Sequence, residues 1–158
     1  MKLSLRPFQK EDKLACLAIF DSNCPPFFAL EERELFESFL DGQSKGEPVK
    51  EDIVADHFFV VCDEKDEIIA CGGYYLVRGN QLARLSWGMV LRNLHKNGVG
   101  KELFKFRLKD LKENYPNNGL GLDTSQHTFR FYEKMGGKVL EIVKDGYGEG
   151  LHKYEMVL

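Results

Sequence analysis

The segment from His95 to Lys101 has the residue types of a turn that binds phosphate. It reads His-Lys-Asn-Gly-Val-Gly-Lys and lies between an apolar, strand-like run and a long charged segment with helical periodicity. A glycine turn that opens a helix leaves backbone N–H groups without partners and places the positive end of the helix dipole beside them. Gly98 and Gly100 therefore predict a cradle for a phosphate or pyrophosphate group.

Two common nucleotide-binding motifs do not fit this turn. A P-loop that ends on Gly100-Lys101 would need glycine at His95 and a hydroxyl residue at Glu102. The dinucleotide fingerprint would need a third glycine at Leu103, and it normally follows the first strand of its fold rather than the fourth. We therefore expect a phosphorylated ligand of another kind.

The elements that must position this turn alternate between strand and helix patterns. Apolar residues recur at helical spacing on either side of a proline-rich break, and three later apolar runs joined by polar turns predict consecutive hairpin strands. Residues 41–56, which are polar and contain Pro48, are expected to form a long loop. The predicted strands β1 to β7 are residues 3–6, 58–62, 67–77, 81–91, 120–123, 138–144 and 151–157, and the predicted helices α1 to α4 are 13–20, 31–40, 98–115 and 126–135.

This arrangement resembles the GCN5-related N-acetyltransferase (GNAT) family. The family's hallmark is a strand that ends near valine, followed by [RQ]xxGx[GA] at the start of a long helix. Here Gly88-Met89-Val90 precedes His95-Lys96-Asn97-Gly98-Val99-Gly100, with His95 in place of Arg or Gln. A second segment, Phe131-Tyr132-Glu133-Lys134-Met135-Gly136-Gly137, resembles the family's FYxxxGF, with Gly137 in place of Phe.

The resemblance covers essentially the whole chain and implies one N-acetyltransferase domain over residues 1–158. Its fold class is α+β, in the order β1-α1-α2-β2-β3-β4-α3-β5-α4-β6-β7, with a central mixed sheet and helices on both faces. The activity it implies is transfer of an acetyl group from acetyl-coenzyme A to an amine. Because no cysteine stands at a recognisable nucleophile position, we expect direct attack by the amine in a ternary complex.

The resemblance also assigns the cofactor contacts. In the family, the glycine turn donates backbone N–H groups to the pyrophosphate of coenzyme A, and the splayed strand before it pairs with the pantetheine arm. Ser125 stands where the family often has an asparagine near the pantetheine. The predicted cofactor-binding residues are therefore Gly88, Met89, Val90, His95, Lys96, Asn97, Gly98, Val99, Gly100, Lys101 and Ser125.

Tyr132 matches the position from which a tyrosine of the family usually protonates the departing thiolate. A phenol has a pKa of about 10 and a thiol one of about 8.5, so full proton transfer is uphill by about 2 kcal/mol. We therefore expect the proton to move together with thiolate departure. A tyrosine that only packs beside Phe131 is the structural alternative.

The general base is harder to assign. The family's frequent acidic residue on β5 would fall near Leu120, and the predicted β4 contains no carboxylate. Asp123 is the nearest titratable candidate, and capping the following helix is an equally good role for it. Glu31 and Glu32, a water relay, or no base at all stay open. Absence of a base would favour an acceptor amine of low pKa, which is partly neutral at pH 7.

Bulk composition narrows the partners. A formal net charge of -3 disfavours nucleic acid and anionic membranes as ligands. The four cysteines form no CxxC pair and the four histidines have no neighbours at metal-ligand spacing, so we expect reduced thiols and no metal. Without a signal-peptide pattern or an apolar run of about 18 residues, the expected location is cytoplasmic.

The expected partner is an amine acceptor, either a small molecule or a peptide, and both a monomer and a homodimer fit the sequence. A domain that binds acyl-coenzyme A without turnover is the rival function. The missing base and the altered His95 both permit it.

Overall fold

The computed structural model describes residues 1–46 and 50–158, and its elements follow the predicted order. The strands are β1 (Ser4–Pro7), β2 (Ile53–Cys62), β3 (Ile68–Val77), β4 (Leu82–Val90), β5 (Gly119–Thr124), β6 (Lys138–Gly148) and β7 (Leu151–Val157). The helices are α1 (Lys13–Asn23), α2 (Glu32–Lys45), α3 (Val99–Asn114) and α4 (Phe129–Lys134), with short 3-10 turns at Lys10–Asp12 and Arg92–Leu94. The predicted α+β class is confirmed.

All seven strands form one sheet in the order β1-β2-β3-β4-β5-β7-β6. Neighbouring strands are antiparallel except β4 and β5, which run parallel. That parallel pair is joined only where Leu82, Ala83 and Arg84 face residues 119–121. Beyond Arg84 the two strands separate, so the second half of β4 has a free edge in the middle of the sheet.

The helices cover both faces of the sheet, as predicted. On one face, α1 and α2 bury Phe20 and Phe36 against Phe58 of β2 and Met89 of β4. On the other face, Phe104 and other apolar residues of α3 pack on β2, β3 and β4. Apolar residues spaced along one side of each helix therefore hold the sheet between two helical layers.

Several predicted boundaries need correction. The helix α2 continues to Lys45 and is capped by Gly46 at φ +68°, and β2 starts at Ile53, so the predicted loop 41–56 is much shorter. The part of it that contains Pro48 lies outside the described residues. The polar residues at both ends were ambiguous because an exposed helix turn and a strand end also carry polar side chains.

At the C-terminal end, α4 is shorter and β6 is longer than predicted. The carbonyl of Ser125 accepts hydrogen bonds from the N–H groups of Thr128 and Phe129, so residues 126–128 form a turn and the helix begins at Phe129. The strand β6 continues to Gly148, through most of the predicted loop 145–150.

Candidate active site

The free half of β4 is distorted by a bulge. Cys71 faces Met89 and Gly73 faces Ser86, so two residues of β4 oppose the single residue Gly72. Trp87 within the bulge has φ +45°, in the left-handed region. A bulge of this kind interrupts the ladder and re-aims backbone groups. Polar backbone groups of β4 therefore line the gap between β4 and β5.

The glycine turn lies at the end of this free edge. Lys96 and Gly98 have φ values of +67° and +84°, and α3 begins at Val99. The first backbone hydrogen bond of the helix runs from the N–H of Glu102 to the carbonyl of Gly98, at 3.1 Å. In the part of the chain that the structure describes, no group accepts a hydrogen bond from the N–H groups of residues 96–101. Such a run of free N–H groups at a helix start suits a pyrophosphate.

His95 has a local structural role that the sequence did not reveal. Its Nε2 lies 3.0 Å from the carbonyl oxygen of Val90, and Asn23 donates its Nδ2 to the same oxygen at 2.8 Å. Its ring also packs edge-on against Phe27, with ring centroids 4.9 Å apart. The imidazole thus connects the turn to the end of β4. Although His95 stands where the family has Arg or Gln, its contacts still support the turn that carries the free N–H groups.

Tyr132 is held by its ring and by its backbone. The ring packs edge-on against Phe104 and Phe131, at centroid distances of 5.8 and 5.0 Å. Its carbonyl accepts the N–H of Gly137 at 2.9 Å, and a Cβ at residue 137 would lie 2.9 Å from that same oxygen. This close approach explains glycine where the family has Phe. No described residue forms a hydrogen bond with the Tyr132 hydroxyl, which leaves it free to donate.

Asp123 belongs to a network of charged side chains. It accepts a hydrogen bond from Arg84, lies 3.8 Å from the Nζ of Lys153 and faces Glu155 across the strand pair. Burial and the neighbouring Asp123 raise the pKa of Glu155 above its ordinary value. The N-cap of α4 is Thr128, so Asp123 does not cap that helix. Its assignment as base stays a prediction, and the ion pairs compete with that role.

Ser125 uses its hydroxyl locally. The side chain is buried, accepts the N–H of His127 at 3.2 Å and lies 3.3 Å from the Oγ1 of Thr128. These contacts stabilise the turn between β5 and α4. Its predicted contact with pantetheine stays a prediction.

A further carboxylate, Asp56, was missed because the sequence placed it in a loop. It lies opposite Tyr75 on β3, and Tyr75 lies opposite Arg84 on β4, so the three residues form a row across the sheet. Burial raises the pKa of Asp56 to about 6, although a hydrogen bond with Gln43 acts to lower it. Its Oδ1 is buried and has no hydrogen-bond partner in the described structure. A continuation of the β2 pattern toward residue 53 was the only signal in the sequence.

The turn that follows α1 and the β6–β7 hairpin close the same face of the sheet. A Cβ at Gly148 would lie 3.4 Å from Ala29 and 3.7 Å from the Oε2 of Glu31. Burial raises the pKa of Tyr147, and the neighbouring carboxylates of Asp123 and Glu32 raise it further. A neutral Tyr147 therefore borders a region that contains several acidic groups.

In the described residues, no helix has the length and apolar character needed to cross a bilayer, and His, Cys, Asp and Glu side chains form no group suited to a metal ion. A mixed sheet with a splayed parallel pair beside a glycine turn is the arrangement that the resemblance in the sequence implies. The sequence profile of the acetyltransferase (GNAT) domain matches residues 28–158, and the chain belongs to this family. The predicted family is thus confirmed.

Solved structures agree with this fold at low sequence identity. A GNAT-family acetyltransferase structure from Desulfovibrio desulfuricans superimposes with a TM-score of 0.80 at 20% identity, covering 99% of this chain and 98% of that one. Ribosomal-protein-alanine N-acetyltransferase from Brucella melitensis gives 0.72 at 15%, covering 98% of each. Spermidine N-acetyltransferase from Vibrio cholerae gives 0.71 at 15%, covering 99% and 92%. No curated protein sequence matches the chain.

Proposed function

We propose that this protein transfers the acetyl group of acetyl-coenzyme A to an amine. The observation that carries this proposal is the run of free N–H groups at residues 96–101, beside the free edge of β4. Residues 96–101 would hold the pyrophosphate, and residues 88–90 would pair with the pantetheine arm. When bound, acetyl-coenzyme A supplies an acyl group activated as a thioester.

The proposed reaction needs a neutral amine and a protonated leaving group. The amine nitrogen attacks the carbonyl carbon with its lone pair, a C–N bond forms, and the C–S bond breaks. Tyr132 gives its phenolic proton to the sulfur, and the proton lost by the amine goes to a carboxylate or to water. The unpartnered hydroxyl of Tyr132 supports this role. Direct attack, with no acyl-enzyme, predicts sequential rather than ping-pong kinetics.

Two carboxylates are candidates for the base. Asp56 has a pKa of about 6 and is mostly deprotonated at pH 7. It lies on β2, two strands or about 10 Å from β4, so it would accept the proton through water rather than directly. Asp123 lies near the end of β5, beside the gap between β4 and β5, but it forms ion pairs with Arg84 and Lys153. We therefore assign the acceptor side to the face that carries Asp56, with Asp123 as the alternative base.

The carboxylates on this face favour a cationic acceptor that loses one proton before it reacts. The names of the structural relatives include both a protein N-terminal alanine and a polyamine. For this chain we propose a small-molecule or peptide amine.

The test is release of free thiol from acetyl-coenzyme A with a panel of α-amino peptides, polyamines and small amines. Tyr132→Phe should lower kcat at least tenfold and leave the Kd of coenzyme A unchanged. Tyr154→Phe is the matched control, because Tyr154 stacks on Phe129 with ring centroids 4.4 Å apart and has no assigned role. Unchanged kcat in Tyr132→Phe would remove it from the mechanism. Tight coenzyme A binding with no turnover for any amine would favour the non-catalytic alternative.

A further inference from the structure

Arg107 is a buried cation without a counter-ion. The residue lies in the middle of α3 and is 2% exposed. Nη1 donates one hydrogen bond to the carbonyl of Gly73, at 3.2 Å, and Nε has no partner. Within the described ranges, no carboxylate lies within salt-bridge distance of the guanidinium. A buried charge in this state opposes folding by several kcal/mol, so stability alone does not account for it.

The neighbouring acidic and nucleophilic groups form no hydrogen bond or ion pair with it in the described structure. Asp110, one turn further along α3, accepts a hydrogen bond from the hydroxyl of Tyr74 at 2.6 Å. Cys71 is fully buried, and burial raises the pKa of its thiol well above the ordinary value, so it stays neutral. The positive charge of Arg107 is therefore directed at the strands it touches.

Two glycines make room for the guanidinium. A Cβ at Gly72 would lie 3.1 Å from Nη1, and a Cβ at Gly88 would lie 2.9 Å from Nη2. Both residues belong to the bulge, where Trp87 and Gly88 of β4 oppose Gly72 of β3. The planar group thus fills the volume that side chains at these two positions would take, and it supports the bulge from behind.

The backbone at this position is also exposed. Gly88 is an exposed residue although its Cα packs over a buried guanidinium. It lies on the edge of β4 that is free beyond Arg84. A ligand group seated against Gly88 would therefore have only one layer of backbone between itself and the positive charge. In an interior of low dielectric constant, charge at that separation is weakly screened.

We propose that Arg107 is a positioning residue for acyl transfer, which holds the β4 bulge in shape and places a positive charge behind the strand against which the thioester lies. This inference rests on the proposed function. Negative charge develops on the thioester oxygen and sulfur as the amine attacks, and a preorganised positive charge favours that change over the ground state. The guanidinium acts through the backbone of Gly88 and does not touch the substrate.

The test compares Arg107→Met, which keeps the length and removes the charge, with Arg107→Lys, which keeps the charge. Lys105→Met on the exposed side of α3 is the control. We expect Arg107→Met to lower kcat at least tenfold, to change the Kd of coenzyme A less than threefold, and to raise the melting temperature or leave it unchanged. Arg107→Lys should recover part of kcat.

A purely structural Arg107 gives the opposite pattern. Lower melting temperatures in both variants, with kcat per folded molecule unchanged, would overturn the proposal, as would failure of both variants to fold. Full activity of Arg107→Met with an active parent protein would overturn this inference and leave the proposed function intact. An inactive parent protein that binds coenzyme A would overturn both.

Discussion

Replacing Asp56 with Asn should stabilise the protein above pH 6 and leave it almost unchanged near pH 4. The pKa of Asp56 is raised from its ordinary 3.8 to about 6. As the pH rises through this interval, the unfolded chain releases the proton before the folded chain does, so stability falls and then levels off above pH 6. At 1.36 kcal/mol per pKa unit, this rise corresponds to at most about 3 kcal/mol. Asp56 is only partly buried, and we therefore expect about 1 to 2 kcal/mol.

The assay is urea unfolding of the parent protein and of Asp56→Asn at pH 4, 5, 6 and 8. The difference in unfolding free energy between the two proteins should grow from pH 4 to pH 6 and then stay constant. Asp52→Asn, at an exposed carboxylate four positions earlier, is the control and should give no such trend. A difference that is independent of pH, or that shrinks as the pH rises, would refute the reasoning from burial. If Asp56 is also the base, kcat/KM of the parent should fall below pH 6.

Two glycines allow further tests. The control for the first is Gly79→Val, which has a φ of +78° in the turn between β3 and β4, and the control for the second is Gly100→Ala, whose Cβ would make only ordinary contacts, at 3.7 Å and beyond. Gly98→Val places a β-branched residue at φ +84°, which costs about 1 to 3 kcal/mol and turns the free N–H groups away. Calorimetry should therefore detect no coenzyme A binding, and binding at the affinity of the parent protein would contradict this. Gly73→Ala would make its Cβ overlap the carbonyl oxygen of His57, and we expect a loss of about 3 kcal/mol or more in urea unfolding. A near-neutral Gly73→Ala would show that β2 and β3 separate easily.

The order of elements was predictable because their hydrophobic periods are distinct. Helix α3 carries Leu103, Phe104 and Leu111 on one face. This face packs against the sheet, as the pattern requires. The turn was predictable because Gly98 has a local reason to be glycine, a φ of +84° at the start of α3. The predicted boundaries were wrong where polar side chains fit both a loop and the exposed end of a strand, as at the start of β2.

Residues that act through long-range contacts were not predictable. Asp56 and Arg107 acquire their properties from strand partners and from a helix that packs across the sheet. The sequence around Arg107 reads as an ordinary charged helix, and nothing local indicates that Gly72 and Gly88 make room for a guanidinium. The same holds for His95, whose contact with Val90 closes a turn that the sequence could only delimit.

The two faces of the sheet carry different ionisable groups, and this difference suits the proposed reaction. Tyr74 packs in the cluster with α3, so Tyr75, the next residue of the strand, points to the other face, and Asp56 lies opposite Tyr75 on that face. Arg107 approaches from the α3 side. A cationic amine would thus approach from the face with carboxylates, while the negative charge it creates develops in front of a buried cation. Under the proposed function, swapping these groups between the faces would oppose both steps, so the arrangement favours entry of the acceptor from the face that carries Asp56.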